Sequence, residues 1–275
     1  MDKQRLDRAV LGAVYAVSVI SLVGVAVFAR HPERLGASPS AARAYGWMLL
    51  VAPKAQILIA FAAIALVLFR RVGARWLGAF GAVYLVSLAS ELAGTTIGLP
   101  FGPYRYTDGL GLKWLGHVPV LIPLSWFFMA LASYAIARER WPRDADRVRR
   151  AVFAASVLLS WDLALDPAMS LVTPYWLWGT AGPYYGMPLL NLFGWFVTGV
   201  ALMIVFATMR VDHWIGKLSG PWLIGYYGAN LLLPLGLCVV AGLYGAVAAT
   251  LVALTISFVV LRPVGAIDTM SEFAS

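Results

Sequence analysis

The chain has 275 residues, of which 61% are apolar and 12% are charged, and its formal net charge at pH 7 is +8. Soluble globular domains carry about 25% charged residues, so this composition excludes a soluble domain and indicates an integral membrane protein. The positive charge is spread over loops in a pattern that membrane topology explains, so no nucleic-acid partner is expected.

Apolar runs of about 20 residues, the length needed to cross a hydrocarbon core of about 30 Å, recur along the whole chain. The predicted spans are residues 9–29, 48–69, 76–98, 118–137, 151–172, 188–209, 221–241 and 244–262. We interpret the first span as a retained anchor, because it is too long for a signal peptide and no small-residue cleavage motif follows it. The prediction is therefore an all-α fold, a polytopic transmembrane bundle of about eight helices that forms a single domain over residues 1–275.

Lys and Arg are distributed unequally between alternate loops. Fifteen of them fall on the side that holds the N-terminus and five on the other side, while Lys54 lies inside a span. Cytoplasmic loops carry the excess of basic residues, so both termini are predicted to be cytoplasmic. The predicted location is the cytoplasmic membrane of the cell.

Four ionisable residues lie deep inside the predicted spans. The helical rise of 1.5 Å per residue places Asp162 about 16 Å, and Glu91 and Asp166 about 22 Å, from the cytoplasmic ends of their spans. Lys54 lies about 9 Å below the outer surface, at a similar level. A charge at such depth costs at least about 2.5 to 3.5 kcal/mol, which makes these residues functional candidates. Asp162 and Asp166, spaced i and i+4, share one helix face.

Two structural roles compete with a catalytic one. Asp166 precedes Pro167, and an Asp followed by Pro is a common way to begin a helix, so Asp166 could cap a break in the fifth span. Lys54 and Glu91 could instead form a buried ion pair that orders the packing of their helices. The sequence leaves both alternatives open.

The outer connections, residues 98–119 and 173–188, are rich in Gly, Pro and aromatic residues and nearly lack charge. Irregular backbone of this kind is tolerated at membrane depth only where protein buries it or it lines a cavity. We therefore predict that both loops fold over the outer mouth of the bundle. An aromatic belt at the membrane interface is the alternative for Trp114, Trp176 and Trp178.

Four motifs follow one another in the middle of the chain. They read "ELAGTTIGLPFGPYRY" from Glu91, "GHVPVLIPLSW" from Gly116, "WDLALDPAMS" from Trp161 and "YWLWGTAGPYYGMPLLNLFGW" from Tyr175. Over about residues 85–195 this ordered set resembles the integral-membrane carotenoid 1,2-hydratases, a family that includes the γ-carotene and bisanhydrobacterioruberin types. The resemblance implies that water adds across the C1=C2 bond of an acyclic carotenoid end and leaves a tertiary alcohol at C1.

This chemistry requires an acid that protonates C2, groups that stabilise a tertiary cation at C1, and a positioned water. A carboxyl group in apolar surroundings can keep its proton at neutral pH, and a second carboxylate nearby favours this. We expect Asp162 to donate the proton, Glu91 or Asp166 to orient and deprotonate the water, and aromatic faces to stabilise the cation. The predicted catalytic residues are Asp162, Asp166 and Glu91, and the predicted substrate-binding residues are Trp161, Trp195, Tyr104, Tyr106, Asn191, Lys54, Arg105, Trp178 and Tyr185. No cofactor and no metal are expected, and the predicted partners are an acyclic-ended carotenoid, water, membrane lipid and other enzymes of the carotenoid pathway.

Two other functions compete with hydration. A Mg-dependent membrane prenyltransferase would use paired Asp-x-x-x-Asp motifs, of which "DLALD" supplies one, and Arg105 and Lys113 are the outer-loop cations available for a diphosphate. A proton-coupled transporter would use the buried acids as a proton relay, although no internal repeat is evident.

Overall fold

The computed structural model describes residues 3–29, 33–36, 38–142 and 146–260. Within these ranges eight long α-helices form one bundle and two short ones lie in connections. The helices are α1 (Lys3–Gly24), α2 (Glu33–Gly36), α3 (Pro39–Val72), α4 (Leu77–Ile97), α5 (Ile122–Arg140), α6 (Arg147–Pro167), α7 (Leu189–Thr208), α8 (Asp212–Ile215), α9 (Gly220–Val240) and α10 (Tyr244–Val260). One π-helical turn, Val25–Ala29, extends α1 and another, Ala168–Val172, extends α6, while 3₁₀ turns occupy Gly73–Trp76 and Asp108–Leu110. The predicted all-α membrane bundle is confirmed.

The centre of the bundle is formed by α5 and α6. Residues 126–137 of α5 are buried without interruption, as expected for a helix that is apolar on all sides. On its two sides α5 packs against α4 and α6, and α9 also contacts it. In turn α6 packs against α7, α9 and α10, while α1 packs against α3 and α9.

The eight long helices coincide with the eight predicted spans. By length and composition, five stretches of the described chain suffice to cross a membrane: Gln4–Phe28, Ala42–Ile97, Arg147–Val172, Leu189–Thr208 and Gly220–Val240. The second stretch includes both α3 and α4, and α10 is a shorter apolar helix. The number of crossings and the cytoplasmic position of the termini stay predictions.

The sequence did not predict the strands that stand in the long connections. These are β1 (Tyr104–Tyr106), β2 (Lys113–Trp114), β3 (Val118–Pro119) and β4 (Trp176–Trp178). Two antiparallel pairs form, β1 with β4 and β2 with β3. In the first pair Tyr104 lies opposite Trp178 and Tyr106 opposite Trp176, so the two long connections are joined to each other.

Gly98 directs the first of these connections back over the bundle. It ends α4 with a φ of 76°, in the left-handed region that glycine adopts without strain, and its N–H donates to the carbonyl of Gly94. Phe101, Tyr104 and Tyr106 of this connection are all buried. The prediction that the loops fold inward is therefore confirmed, whereas the membrane side that they face stays a prediction.

Candidate active site

A cavity lies between the helices beneath the β1–β4 pair. Its walls come from α1, α3, α4, α5, α6, α7 and α9, and its volume is about 140 Å³. Most of the lining is aromatic or aliphatic, including Phe101, Phe128, Leu165 and Leu233. A concave apolar site with a few converging polar groups is the usual form of a small-molecule binding site.

Asp162 and Asp166 project into this cavity from successive turns of α6. Each side chain is 1% exposed, and each carboxylate uses one of its two oxygens. The Asn191 amide donates to Asp162 Oδ2 at 3.0 Å, and the Trp176 indole N–H donates to Asp166 Oδ1 at 2.6 Å. Asp162 Oδ1 and Asp166 Oδ2 accept no hydrogen bond from the described residues. Each carboxyl group thus keeps one buried oxygen without a hydrogen-bond partner among the described residues.

Glu91 of α4 has a different environment, because both of its oxygens accept hydrogen bonds. The hydroxyls of Tyr104 and Tyr106 donate to Oε2, the second at 2.8 Å, and the indole N–H of Trp126 donates to Oε1 at 2.8 Å. Burial raises the pKa of both tyrosines well above the ordinary value near 10, so both phenols stay protonated and able to donate. Three donors from β1 and α5 therefore fix the position of the Glu91 carboxyl group.

The β1–β4 pair positions donors for both α4 and α6. Successive residues of a strand point to opposite faces, so Tyr104 and Tyr106 point toward the bundle while Arg105 is exposed. On β4, Trp176 reaches Asp166, and Trp178 lines the cavity. One strand pair therefore holds the donors of two carboxylates that come from different helices.

Gly94 allows the strand to lie close to α4. A Cβ atom at this position would lie 2.8 Å from Cε1 of Tyr104 and 2.8 Å from Cδ2 of Phe101, which is closer than packed side chains permit. The absence of a side chain at Gly94, one turn after Glu91, lets the Tyr104 hydroxyl reach the carboxylate.

Three indole rings form one wall of the cavity. Trp126 and Trp195 are stacked with their centroids 4.1 Å apart and an interplanar angle of 25°. Trp161 meets Trp195 edge to face, with the centroids 6.0 Å apart. Aromatic faces attract cations and pack well against planar conjugated chains. This wall offers an apolar, electron-rich surface to a ligand.

The structure brings most of the predicted site residues together. Those that line the cavity are Glu91, Asp162, Asp166, Trp161, Trp195, Tyr104, Tyr106, Asn191 and Trp178. Lys54, Arg105 and Tyr185 are not part of its lining. Lys54 lies near Gly111, Arg105 points away on β1, and the Tyr185 hydroxyl lies against Gly245 of α10.

Neither alternative structural role is present. Helix α6 continues through Asp166 to Pro167 and passes into the π turn, so Asp166 does not cap a new helix, and its side chain bonds to Trp176 instead. Glu91 is bonded to Tyr104, Tyr106 and Trp126, and the described side chains include no Lys54–Glu91 ion pair. The described part of the chain also contains no group of three His, Cys, Asp or Glu side chains placed to hold a metal ion.

The sequence did not assign Trp126 or Trp176 to the site as donors. Both residues lie inside the quoted motifs. The sequence signal for the strand that carries Trp176 is the two-residue alternation of Tyr104 with Tyr106 and of Trp176 with Trp178. That alternation indicates two short strands, each with one aromatic face.

Comparisons with known proteins agree with this site. A family model described as "Carotenoid biosynthesis protein" matches residues 53–257, which cover all the cavity residues from Pro53 onward. The chain is also 28% identical, over 204 residues, to a bisanhydrobacterioruberin hydratase of Haloarcula japonica; the match covers 74% of this chain and 67% of that protein. No solved structure is significantly similar to the chain.

Proposed function

Because the chain belongs to the carotenoid biosynthesis protein family, we propose that it is a carotenoid 1,2-hydratase of the cell membrane. Membership of this family also confirms the resemblance that the four sequence motifs indicated. In this proposal it adds water to the C1=C2 bond of an acyclic carotenoid end and forms a 1-hydroxy carotenoid. The observation that carries the proposal is the pair of buried carboxyls, Asp162 and Asp166, which line an aromatic cavity and each keep one oxygen without a hydrogen-bond partner among the described residues.

The first step is protonation of the alkene. Asp162 in its acid form transfers the proton on Oδ1 to C2, the π electrons form the new C–H bond, and C1 becomes a tertiary cation. The Asn191 amide holds the other oxygen of Asp162 at 3.0 Å and keeps the acid directed at the substrate. A positioned acid of this kind typically contributes a factor of about 10² to 10⁴ in rate.

The cation is stabilised by charge that is already in place. Glu91, held by three donors, supplies a negative charge that needs no reorganisation during the reaction, and the faces of Trp161 and Trp195 contribute about 0.5 to 2 kcal/mol each. Tyr104 and Tyr106 act through Glu91, as positioning residues.

Water then attacks C1 and completes the addition. Asp166 accepts the proton released from this water at Oδ2, and transfer of that proton to Asp162, one helical turn away, restores the starting state. The sum is one water added to one double bond, with no change of oxidation state and no cofactor.

The test is expression of the chain in cells that accumulate lycopene or another acyclic-ended carotenoid. We expect a pigment heavier by one water, found by chromatography and mass spectrometry, and its loss by at least about a hundredfold in Asp162→Asn. Asp108→Asn is the matched control, because Asp108 is fully exposed in a connection and pairs with Lys113. Unchanged pigments with well-expressed wild-type protein would contradict hydration, and a pigment extended by an isoprene unit would favour prenyl transfer.

A further inference from the structure

A rigid polyene about as long as the hydrocarbon core is thick spans about 30 Å. In the proposed function only its terminal double bond has to reach Asp162 and Asp166, which line the cavity. If the proposed function is right, the conjugated chain leaves through an apolar opening toward lipid. The inference below rests on that function.

One wall of the cavity lies between α1 and α3. On the α1 side it consists of Ser21 and Val25, and on the α3 side of Met48, Ala52 and Gln56. The same two helices carry exposed apolar side chains, among them Val23 of α1 and Trp47, Leu50 and Val51 of α3. Helices that line the cavity and also expose apolar side chains suit the passage of a hydrocarbon.

Met48 closes this wall directly against the backbone of α1. A Cβ atom on Gly24 would lie 2.0 Å from the Met48 sulfur, so the thioether occupies the place of a side chain that Gly24 lacks. Methionine has three rotatable side-chain bonds and repacks at little cost. Rotation of this one side chain would open the cavity.

The two helices stay joined on either side of Met48. Phe28 and Tyr45 pack with ring centroids 5.3 Å apart toward one end, and Ser18 donates to Gln56 Oε1 at 3.3 Å toward the other. An opening at Met48 therefore needs no separation of α1 from α3.

A second hollow, next to Val25, is a less suitable route. Besides Val25 it is lined by Tyr45 of α3, by Val172 of the π turn after α6, and by Gly109, Thr173, Pro174 and Tyr175 of the two connections. The Thr107 hydroxyl donates to the carbonyls of Pro174 and Tyr175 and so ties the two connections together here. A polyene that left on this side would have to separate these bonded connections.

We propose that the polyene of the substrate leaves the cavity laterally between α1 and α3, through the opening that Met48 closes against Gly24. The ligand of this passage is the conjugated hydrocarbon chain, and its reacting end lies at Asp162 and Asp166.

The test compares Met48→Trp with wild type on two substrates, using purified full-length protein. One is an acyclic carotenoid and the other a short acyclic isoprenoid of about 10 to 15 carbons with the same terminal double bond. We expect Met48→Trp to lower the ratio of carotenoid hydration to short-compound hydration at least tenfold, because only the long chain needs the passage. Met48→Ala should not lower this ratio.

Leu58→Trp is the matched control, since Leu58 lies on the lipid-facing side of α3 and is 49% exposed. Unchanged carotenoid hydration in Met48→Trp would overturn the proposal, as would an equal loss with both substrates. Selective loss of carotenoid hydration in Pro174→Trp would assign the exit to the second hollow, because Pro174 lines that hollow and not the main cavity. A wild-type protein that hydrates neither compound would overturn the proposed function, and this route with it.

Discussion

The three carboxyl groups of the cavity differ in how many hydrogen bonds they accept. Glu91 accepts three, whereas Asp162 and Asp166 accept one each from an amide and an indole. In the proposed mechanism this difference in environment divides three carboxyl groups into a fixed charge, Glu91, and a proton-transfer pair, Asp162 and Asp166. The sequence indicated the depth of these residues but not this division, because the donors come from other segments.

At the residue scale we predict the effect of removing one donor from Glu91. Trp126→Phe keeps an aromatic ring stacked on Trp195 but deletes the N–H that reaches Glu91 Oε1. A hydrogen bond to a charged group is worth about 1.5 to 3 kcal/mol, so the rate at saturating carotenoid should fall about 10- to 100-fold.

The control for this substitution is Trp114→Phe. Trp114 donates its indole N–H to the Tyr84 hydroxyl at 2.8 Å, outside the cavity, and is 45% exposed. The carotenoid hydration rate of Trp114→Phe should match that of the wild-type protein. Equal rates for Trp126→Phe and wild type would show that Glu91 does not depend on this donor.

At the scale of elements, the β1–β4 pair joins two connections that are about 70 residues apart in the chain. Three-residue strands form here because the strand edges pair with each other above the bundle, which satisfies backbone groups that neither loop could satisfy alone. Propensity in such short segments is a weak signal, so the sequence predicted inward-folding loops without predicting strands.

At the scale of elements we predict the effect of a side chain at Gly94, where α4 lies close to the strand pair. Gly94→Ala would place a methyl group 2.8 Å from the rings of Phe101 and Tyr104, which forces Tyr104 away from Glu91. We expect a fall in hydration rate of about tenfold or more, measured as product formed per amount of folded protein.

Gly81→Ala in the same helix is the comparison. No atom lies within 4 Å of a Cβ built on Gly81, so this variant should keep its activity and gain about 0.5 to 1 kcal/mol of stability from reduced backbone freedom. Full activity in Gly94→Ala would mean that the strand can shift without loss of the Tyr104 contact.

On the scale of the whole molecule, a cluster of charged side chains connects three helices at one end of the bundle. At the end opposite the strands, Arg150 is 1% exposed and pairs with Asp212 at 3.0 Å. Asp212 also lies 3.2 Å from Arg138 and accepts a hydrogen bond from Tyr134. This cluster ties α5 and α6 to the short helix α8.

We predict that Asp212→Asn destabilises the protein without changing the chemistry of the cavity. Removal of one partner of a buried ion pair leaves an uncompensated charge and costs about 3 to 5 kcal/mol. Thermal unfolding in detergent should shift downward by on the order of 5 to 10 °C.

Asp146→Asn provides the reference, because Asp146 pairs with Arg149 at an exposed site where ion pairs contribute about 0 to 1 kcal/mol. The thermal unfolding temperature of Asp146→Asn should lie close to that of the wild-type protein. A comparable shift of the unfolding temperature in both variants would mean that the burial of Arg150 does not strengthen the contribution of its ion pair to stability.

The sequence by itself determined that this protein is a helical membrane protein and where its long helices lie. Apolar runs of sufficient length suffice for that, because a span must satisfy its own backbone in lipid. It also singled out Glu91, Asp162 and Asp166, since depth follows from counting residues along a helix. Its ordered motifs indicated the family.

Only the tertiary structure decided how these residues are used. The pairing of β1 with β4, the continuation of α6 past Asp166 and the contact of Met48 with Gly24 all depend on segments that are distant in sequence. Lys54, Arg105 and Tyr185 share the level or the motifs of the site residues and still lie outside the cavity lining. Depth along one helix is a local quantity, whereas the direction and partners of a side chain depend on how all the helices pack.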